Sequence, residues 1–277
     1  SEEEENYEDR TIIDHSSGEI STKECAVLLE AVKKELETDI FHFYVGTSYR
    51  HCLIWENGEV VDLVQPHDVL GQKIGDKLPE NEALRTMMKK SYDILVNHPI
   101  NIERRKKGLN PANSCWFWGA GTKPALYPFT ERTHKKGAMI SAVDLLKGIA
   151  VGTSMKVITV DGANGGLDTN YEGKAKAALD VLTRDGYDFV YVHLDERIIR
   201  PIAEGLAAAG EDFRMVVLPD HPTPISLRTH TADNVPYLLY DSTAERSESW
   251  HYNEREAAQT TNFIPEGHKL IEYLLQM

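Results

Sequence analysis

Asp220, His221 and His230 supply the donor types that a divalent cation of the zinc or manganese kind prefers: a carboxylate beside one imidazole, with a second imidazole nine residues on. They follow the apolar run 213–218 (FRMVVL), which has the character of a strand, in a loop constrained by Pro219, Pro222 and Pro224. In an open parallel sheet, ligands collect beyond the C-terminal ends of the strands, where the loops diverge. The plainer alternative is that Asp220 and His221 shape a turn between prolines and His230 is an ordinary half-buried histidine. Three donors converging on one sheet edge put the metal site first. His193, near the end of the apolar run 187–194, points to the same edge, though a single histidine there more often packs or caps.

Other residues suit an anionic ligand. Asp168, Thr169, Asn170 and Lys174 open a helix after Gly165-Gly166, where free N–H groups attract anions but where Asp, Thr and Asn also serve as plain caps. Capping is the primary expectation there, and Asn164-Gly165-Gly166 does not make a nucleotide loop. The stretch 113–121 (NSCWFWGAG) is dense in aromatics, so Trp118 and its neighbours either wall a substrate cleft or pack between domains. Arg50, His67, Asp68, Arg104 and Arg105 are the remaining candidates for phosphate or carboxylate contacts.

Two different patterns of elements must position these groups. In the first half, Ser21 and Glu24 have capping-box spacing, and Leu28, Leu29, Val32 and Leu36 then recur on one helical face. Strand-like runs follow at 39–45 and 49–55, and Asn57-Gly58 predicts a tight turn into a third strand at 60–64. An amphipathic helix over 79–96 presents Leu84, Met87, Met88, Tyr92 and Leu95 and stops before His98-Pro99. Glycines and prolines crowd 108–128, which holds the junction between domains, drawn at 112/113. Beyond it, helices over 141–152, 173–183 and 196–209 alternate with strands over 156–161, 187–194, 213–218 and 235–240. Continuous apolar runs such as FVYVHL fit a parallel sheet covered by helices on both faces. The expected architecture is a smaller α+β domain over 1–112 and a doubly wound α/β domain over 113–277.

Composition narrows the function classes. A chain of 277 residues with 41% hydrophobic and 27% charged residues can bury a full core. Its formal charge of −14 argues against a nucleic-acid partner, yet leaves room for a small anionic substrate held by a few placed cations. Cys25, Cys52 and Cys115 lack the spacing of a disulfide framework or a cysteine zinc site. No membrane span and no basic secretory leader is evident, so a cytoplasmic location is expected. Oligomeric state is not legible.

Several long blocks bear a resemblance to a known family. They are 219–224 (PDHPTP) with 226–231 (SLRTHT), Gly137-Ala138 through 141–145 (SAVDL), 167–174 (LDTNYEGK), 110–113 (NPAN) with 116–121, and 14–22 (DHSSGEIST). Together they resemble the archaeal-type cofactor-independent phosphoglycerate mutases of the alkaline phosphatase superfamily. The likeness runs over nearly the whole chain. It implies an alkaline-phosphatase-like sheet with an inserted transferase-like domain, two divalent metal ions, manganese or zinc, and transfer of phosphate between the 3- and 2-positions of glycerate through a phosphoserine. Asp220 and His221 would hold one metal and His230 the other. The first domain would hold the glycerate.

Two departures accompany the matches. The family's metal-binding Asp and nucleophilic Ser would precede Ser1, so no catalytic nucleophile is assigned. Family members also carry a D-E-x-x-H segment after the equivalent of Val192-His193, whereas here Leu194 runs into Asp195-Glu196-Arg197. Either stretches are omitted, which is the favoured explanation because a lost strand would expose an apolar sheet edge, or the chain is a truncated, metal-deficient relative. In the second case no mutase activity is expected. Two other functions stand beside the mutase: a phosphomonoesterase or phosphonate-processing enzyme with the same metal core, and a non-catalytic relative.

Overall fold

The computed structural model describes residues 6–164, 168–193, 196–226, 230–244 and 251–275. The chain divides into two compact units, Ser1–Pro124 and Ala125–Met277. The change falls inside the breaker-rich segment but beyond 112/113, because the aromatic stretch packs into the first unit. There the Trp116 indole N–H donates to the Val64 carbonyl at 2.8 Å, and Phe117 lies against the core.

The first unit is built on helix α1 (Thr22–Leu36), capped by Ser21, whose Oγ accepts from the Glu24 N–H. Its buried face is Cys25, Leu28, Leu29, Val32 and Leu36, the predicted stripe with one cysteine added. Against it lie β1 (Phe41–Val45), paired antiparallel with β2 (His51–Trp55), and helix α2 (Glu82–Leu95). Leu84, Met87, Met88 and Leu95 of α2 are buried as expected. Each such side chain contributes roughly 1.5–3 kcal/mol by leaving water.

No third strand forms at 60–64. Asn57 takes φ 53°, the Gly58 N–H returns to the Trp55 carbonyl, and the chain leaves β2 without pairing back. Val61 and Leu63 pack on the core instead, while the Val64 carbonyl is taken by Trp116.

After α2 the chain does not simply stop at His98-Pro99. Pro99 becomes the first residue of helix α3 (Pro99–Lys106), where its missing N–H costs nothing.

The second unit opens with α4 (Phe129–Thr133) and β3 (Gly137–Ile140), followed by α5 (Asp144–Gly152), β4 (Lys156–Ile158), α6 (Tyr171–Thr183) and β5 (Phe189–Val192). These strands form a parallel sheet in the order β4-β3-β5. The central strand, β3, was not anticipated: it is four residues long and begins with glycine. That glycine is required, since a Cβ on Gly137 would sit 2.7 Å from the Phe129 ring.

Helix α7 (Ile199–Ala209) packs with α6 over Ile140, Ala175, Ala178, Ile198, Ile202 and Leu206. Strands β6 (Arg214–Val217) and β7 (Leu238–Asp241) then pair antiparallel as a separate ribbon. The sequence pattern had placed them in the parallel sheet. Their connection carries no helix among its described residues, and without a covering crossover an antiparallel return is the accessible geometry. Short helices α8 (Glu254–Ala257) and α9 (Leu270–Leu275) complete the unit. No helix among the described residues is long and apolar enough to cross a membrane.

Asn101 of α3 tests the assignment of 110–113 to the first unit. It is fully buried, donates to the carbonyls of Leu95 and Ala112, and accepts from the Ala112 N–H. Asn101→Ala strands the Ala112 N–H and carbonyl, while the Leu95 carbonyl keeps the His98 N–H, and should cost about 2–4 kcal/mol in urea unfolding, since each unsatisfied buried group is worth roughly 1–3 kcal/mol.

Candidate functional site

In the second unit the chemistry gathers around the ends of β5 and β6. His193 follows β5, and its N–H extends the ladder to the Ile140 carbonyl. Lys174, on the first turns of α6, is 3% exposed, and its Nζ donates to the His193 carbonyl at 3.5 Å. Burial pushes the His193 imidazole below its ordinary pKa, and the Lys174 ammonium pushes further, partly opposed by Asp220. Burial likewise raises the Tyr191 phenol, with the Asp220 carboxylate adding to the rise. Asp220 therefore lies within electrostatic reach of Tyr191 and His193.

Asp220, His221 and His230 are brought together. His221 Nε2 is 3.2 Å from Asp220 Oδ2, and the rings of His221 and His230 have centroids 3.6 Å apart. Thr223 Oγ1 stands 3.2 Å from Nδ1 of both rings. Two donors about 2.0–2.2 Å from one ion, at angles of about 90–109°, must lie about 2.8–3.6 Å from each other. The Asp220–His221 spacing fits that condition, and an oxygen–nitrogen donor set suits manganese or zinc. The described residues contain no group of three or more His, Cys, Asp or Glu already arranged around one ion point. The pair, with His230 beside it, is the candidate metal centre.

The other candidates in this unit have local roles. Asn170 caps α6 by accepting from the Gly173 N–H, and its amide donates to the Asp161 carbonyl. Asp168 accepts from the Asn164 amide at 3.1 Å. Residues 194 and 195, where the D-E-x-x-H segment is expected, lie outside the described residues, as do Gly165, Gly166 and 227–229.

The first unit holds a separate cluster. Arg50 stacks over Tyr49 at 4.2 Å, Tyr49 meets His15 edge-on at 5.5 Å, His15 meets His67 at 5.9 Å, and His67 meets Trp118 at 5.6 Å. The Asp68 carboxylate lies 4.0 Å from His67 Nε2. His15 Nδ1 is shielded from solvent with no hydrogen-bond partner among the described residues. His15 was recognisable only as part of a family block; no spacing signal singles it out.

The loop presenting His15 is held in an uncommon conformation. Ser17, Gly18 and Glu19 all take positive φ (52°, 67° and 54°). The Asp14 carboxylate accepts from the Ser16 N–H, the Ser16 hydroxyl, the Gly18 N–H and the Asn110 amide. Burial alone would raise its pKa, but these donors, led by Asn110 and Ser16, hold it down to about 2.

Arg104 completes the brace, and its expected role as an anion contact is corrected. It is 5% exposed, and all three guanidinium nitrogens are committed: to the Ser17 carbonyl at 2.6 Å, the Asn110 carbonyl at 2.9 Å and Glu24 Oε2 at 3.0 Å. Arg105 donates to the Val96 carbonyl.

Comparison with known proteins adds the following. The profile of 2,3-bisphosphoglycerate-independent phosphoglycerate mutase matches residues 2–101, and that of the metalloenzyme superfamily matches 71–197 and 194–262. The two metalloenzyme stretches meet where the D-E-x-x-H segment is expected. A Methanosarcina barkeri protein named 2,3-bisphosphoglycerate-independent phosphoglycerate mutase is 43% identical over 276 residues, covering 90% of this chain and 69% of its own. A Methanosarcina acetivorans protein of the same name is 40% identical, with 91% and 70% covered.

Among solved structures, the PH0037 protein from Pyrococcus horikoshii aligns with a TM-score of 0.67 at 24% identity, covering 96% of this chain and 71% of that one. The cofactor-independent phosphoglycerate mutase from Thermoplasma acidophilum aligns at 0.52 and 23%, covering 98% and 75%. These structural likenesses establish the shared fold.

The Asp14 brace generates a signed pH dependence. Its folded pKa, about 2, lies below the ordinary 3.8, so its stabilisation is complete above 3.8 and is lost as pH falls through 2. Asp14→Asn should lower stability at neutral pH and flatten the acid-induced loss in that window. Urea unfolding of both proteins across pH 2–7 measures it; parallel curves would refute the role.

Proposed function

This chain belongs to the 2,3-bisphosphoglycerate-independent phosphoglycerate mutases, an isomerase family of the metalloenzyme superfamily whose chemistry is metal-dependent phosphoryl transfer, and on that premise we propose that it interconverts 3-phosphoglycerate and 2-phosphoglycerate. The observation that carries this is the Asp220–His221 pair at ligand spacing with the His230 ring against it.

Asp220 and His221 would hold one divalent ion and His230 would contribute to a second, manganese or zinc. When bound, such ions neutralise phosphoryl oxygens and lower the pKa of an attacking hydroxyl. Lys174, buried with its Nζ on the His193 carbonyl, would receive a phosphate oxygen on this reading. In the first unit, His15, Arg50 and His67 suit the carboxylate or hydroxyls of a glycerate, with Trp118 as a wall and Asp68 setting the His67 ring. The serine that would carry the phosphate is not assigned among these residues. On this reading the protein would act in glycolysis, in the cytoplasm.

The test uses the full-length protein that contains these 277 residues. With manganese and 3-phosphoglycerate it should form 2-phosphoglycerate and release no inorganic phosphate. Asp220→Asn should lower the rate by at least about a hundredfold, since even outer partners of metal ligands are worth 10–100-fold. Stoichiometric phosphate release would instead identify a phosphomonoesterase. No turnover, with no manganese or zinc bound under replete conditions, would identify a non-catalytic relative.

A further inference from the structure

The hydroxyl of Thr223 faces two imidazoles at once, 3.2 Å from Nδ1 of His221 and 3.2 Å from Nδ1 of His230. A histidine presents a lone pair on only one nitrogen when neutral, and the hydrogen bond at the other nitrogen decides which. His221 Nε2 is the nitrogen beside Asp220 Oδ2, so an ion shared by that pair must be met through Nε2. The His221 proton must then sit on Nδ1, and an acceptor must face it. A hydroxyl oxygen has two acceptor sites and can take an N–H from each ring.

The geometry points to Thr223 as the residue that sets the tautomer of both histidines, holding each as the Nδ1–H form, which leaves the lone pair that a metal needs on Nε2. This is a positioning role, and it rests on the metal reading given above. The threonine hydroxyl can also rotate to donate, which accommodates the metal-free state, where the Asp220 carboxylate favours a proton on His221 Nε2. Valine has the same shape and can do neither.

Two measurements on the whole chain test it, with zinc and manganese ions as the probes. In long-range proton–nitrogen NMR spectra of the zinc-loaded protein, His221 and His230 should both bind through Nε2 and carry a proton on Nδ1. Thr223→Val should weaken zinc and manganese binding by about tenfold, the lower end for an outer-shell partner. Thr223→Ser should retain the affinity of the unmodified chain.

Coordination of zinc through Nδ1 of either ring would overturn the proposal, as would unchanged affinity in Thr223→Val when Asp220→Asn and His230→Ala lose binding. If those two ligand variants also bind as the unmodified chain does, the metal reading itself fails, and the proposal with it.

Discussion

A carboxylate oxygen and an imidazole nitrogen held 3.2 Å apart on adjacent residues are the constraint around which the second unit is organised. Side chains of consecutive residues normally diverge, so bringing Asp220 and His221 to ligand spacing demands a fixed backbone between Pro219 and Pro222. That turn has to leave an ordered strand, and β6 supplies one. The strand is anchored by β7, with the Arg214 guanidinium bonded to Asp241 at 2.7 Å. His230 is then returned to the same place, assisted by the Thr231 N–H on the Pro222 carbonyl. The antiparallel ribbon frames the connection that carries all three candidate ligands.

The clustering of Asp220, His221 and His230 was legible because these residues are close in sequence and chemically unusual together. Proline-flanked Asp-His followed by another histidine has few purely structural uses. The helices α1, α2, α6 and α7 were legible from their stripes and caps, down to Ser21 and Asn170. Strand β3 was not, because four residues cannot display a period and a leading glycine resembles a turn. Its identity is set by what lies around it: it pairs on both edges and is buried along its whole length. The missing strand at 60–64 is the converse. Asn-Gly signals a hairpin, but a hairpin also needs the following residues to prefer pairing over burial, and here Val61 and Leu63 take the core.

Arg104 shows why composition alone assigns arginines poorly. From sequence it is one cation among several near a junction. In the structure it is buried, and it ties the carbonyl of Ser17, in the left-handed stretch, to the carbonyl of Asn110 and to Glu24 at the start of α1. Asp14 binds the same loop from inside, and Asn110 links the two. Backbone held at positive φ outside glycine costs of order 1–3 kcal/mol per residue, and surroundings must over-determine it for it to persist. Such a brace is needed if His15 is to stand among Tyr49 and His67 with a shielded, unpaired Nδ1. The polar residues of 14–18 are thus mostly scaffolding around His15.

A chain with a formal charge of −14 can still bind phosphate esters, because screening limits each charge to its neighbourhood. What matters is the field within a Debye length, about 8 Å at physiological salt, of the point where the anion would sit. In the second unit the candidates to set that field are the buried Lys174 and the cation that Asp220 and His221 would hold. Burial there lowers the His193 pKa, so its ring is harder to charge. In the first unit it is set by Arg50, stacked flat on Tyr49, with His15 and His67 beyond. The Tyr49 face beneath it helps to keep the Arg50 guanidinium oriented. The global charge then works in the same direction: it repels large polyanions such as nucleic acids while leaving the local wells for small ones intact.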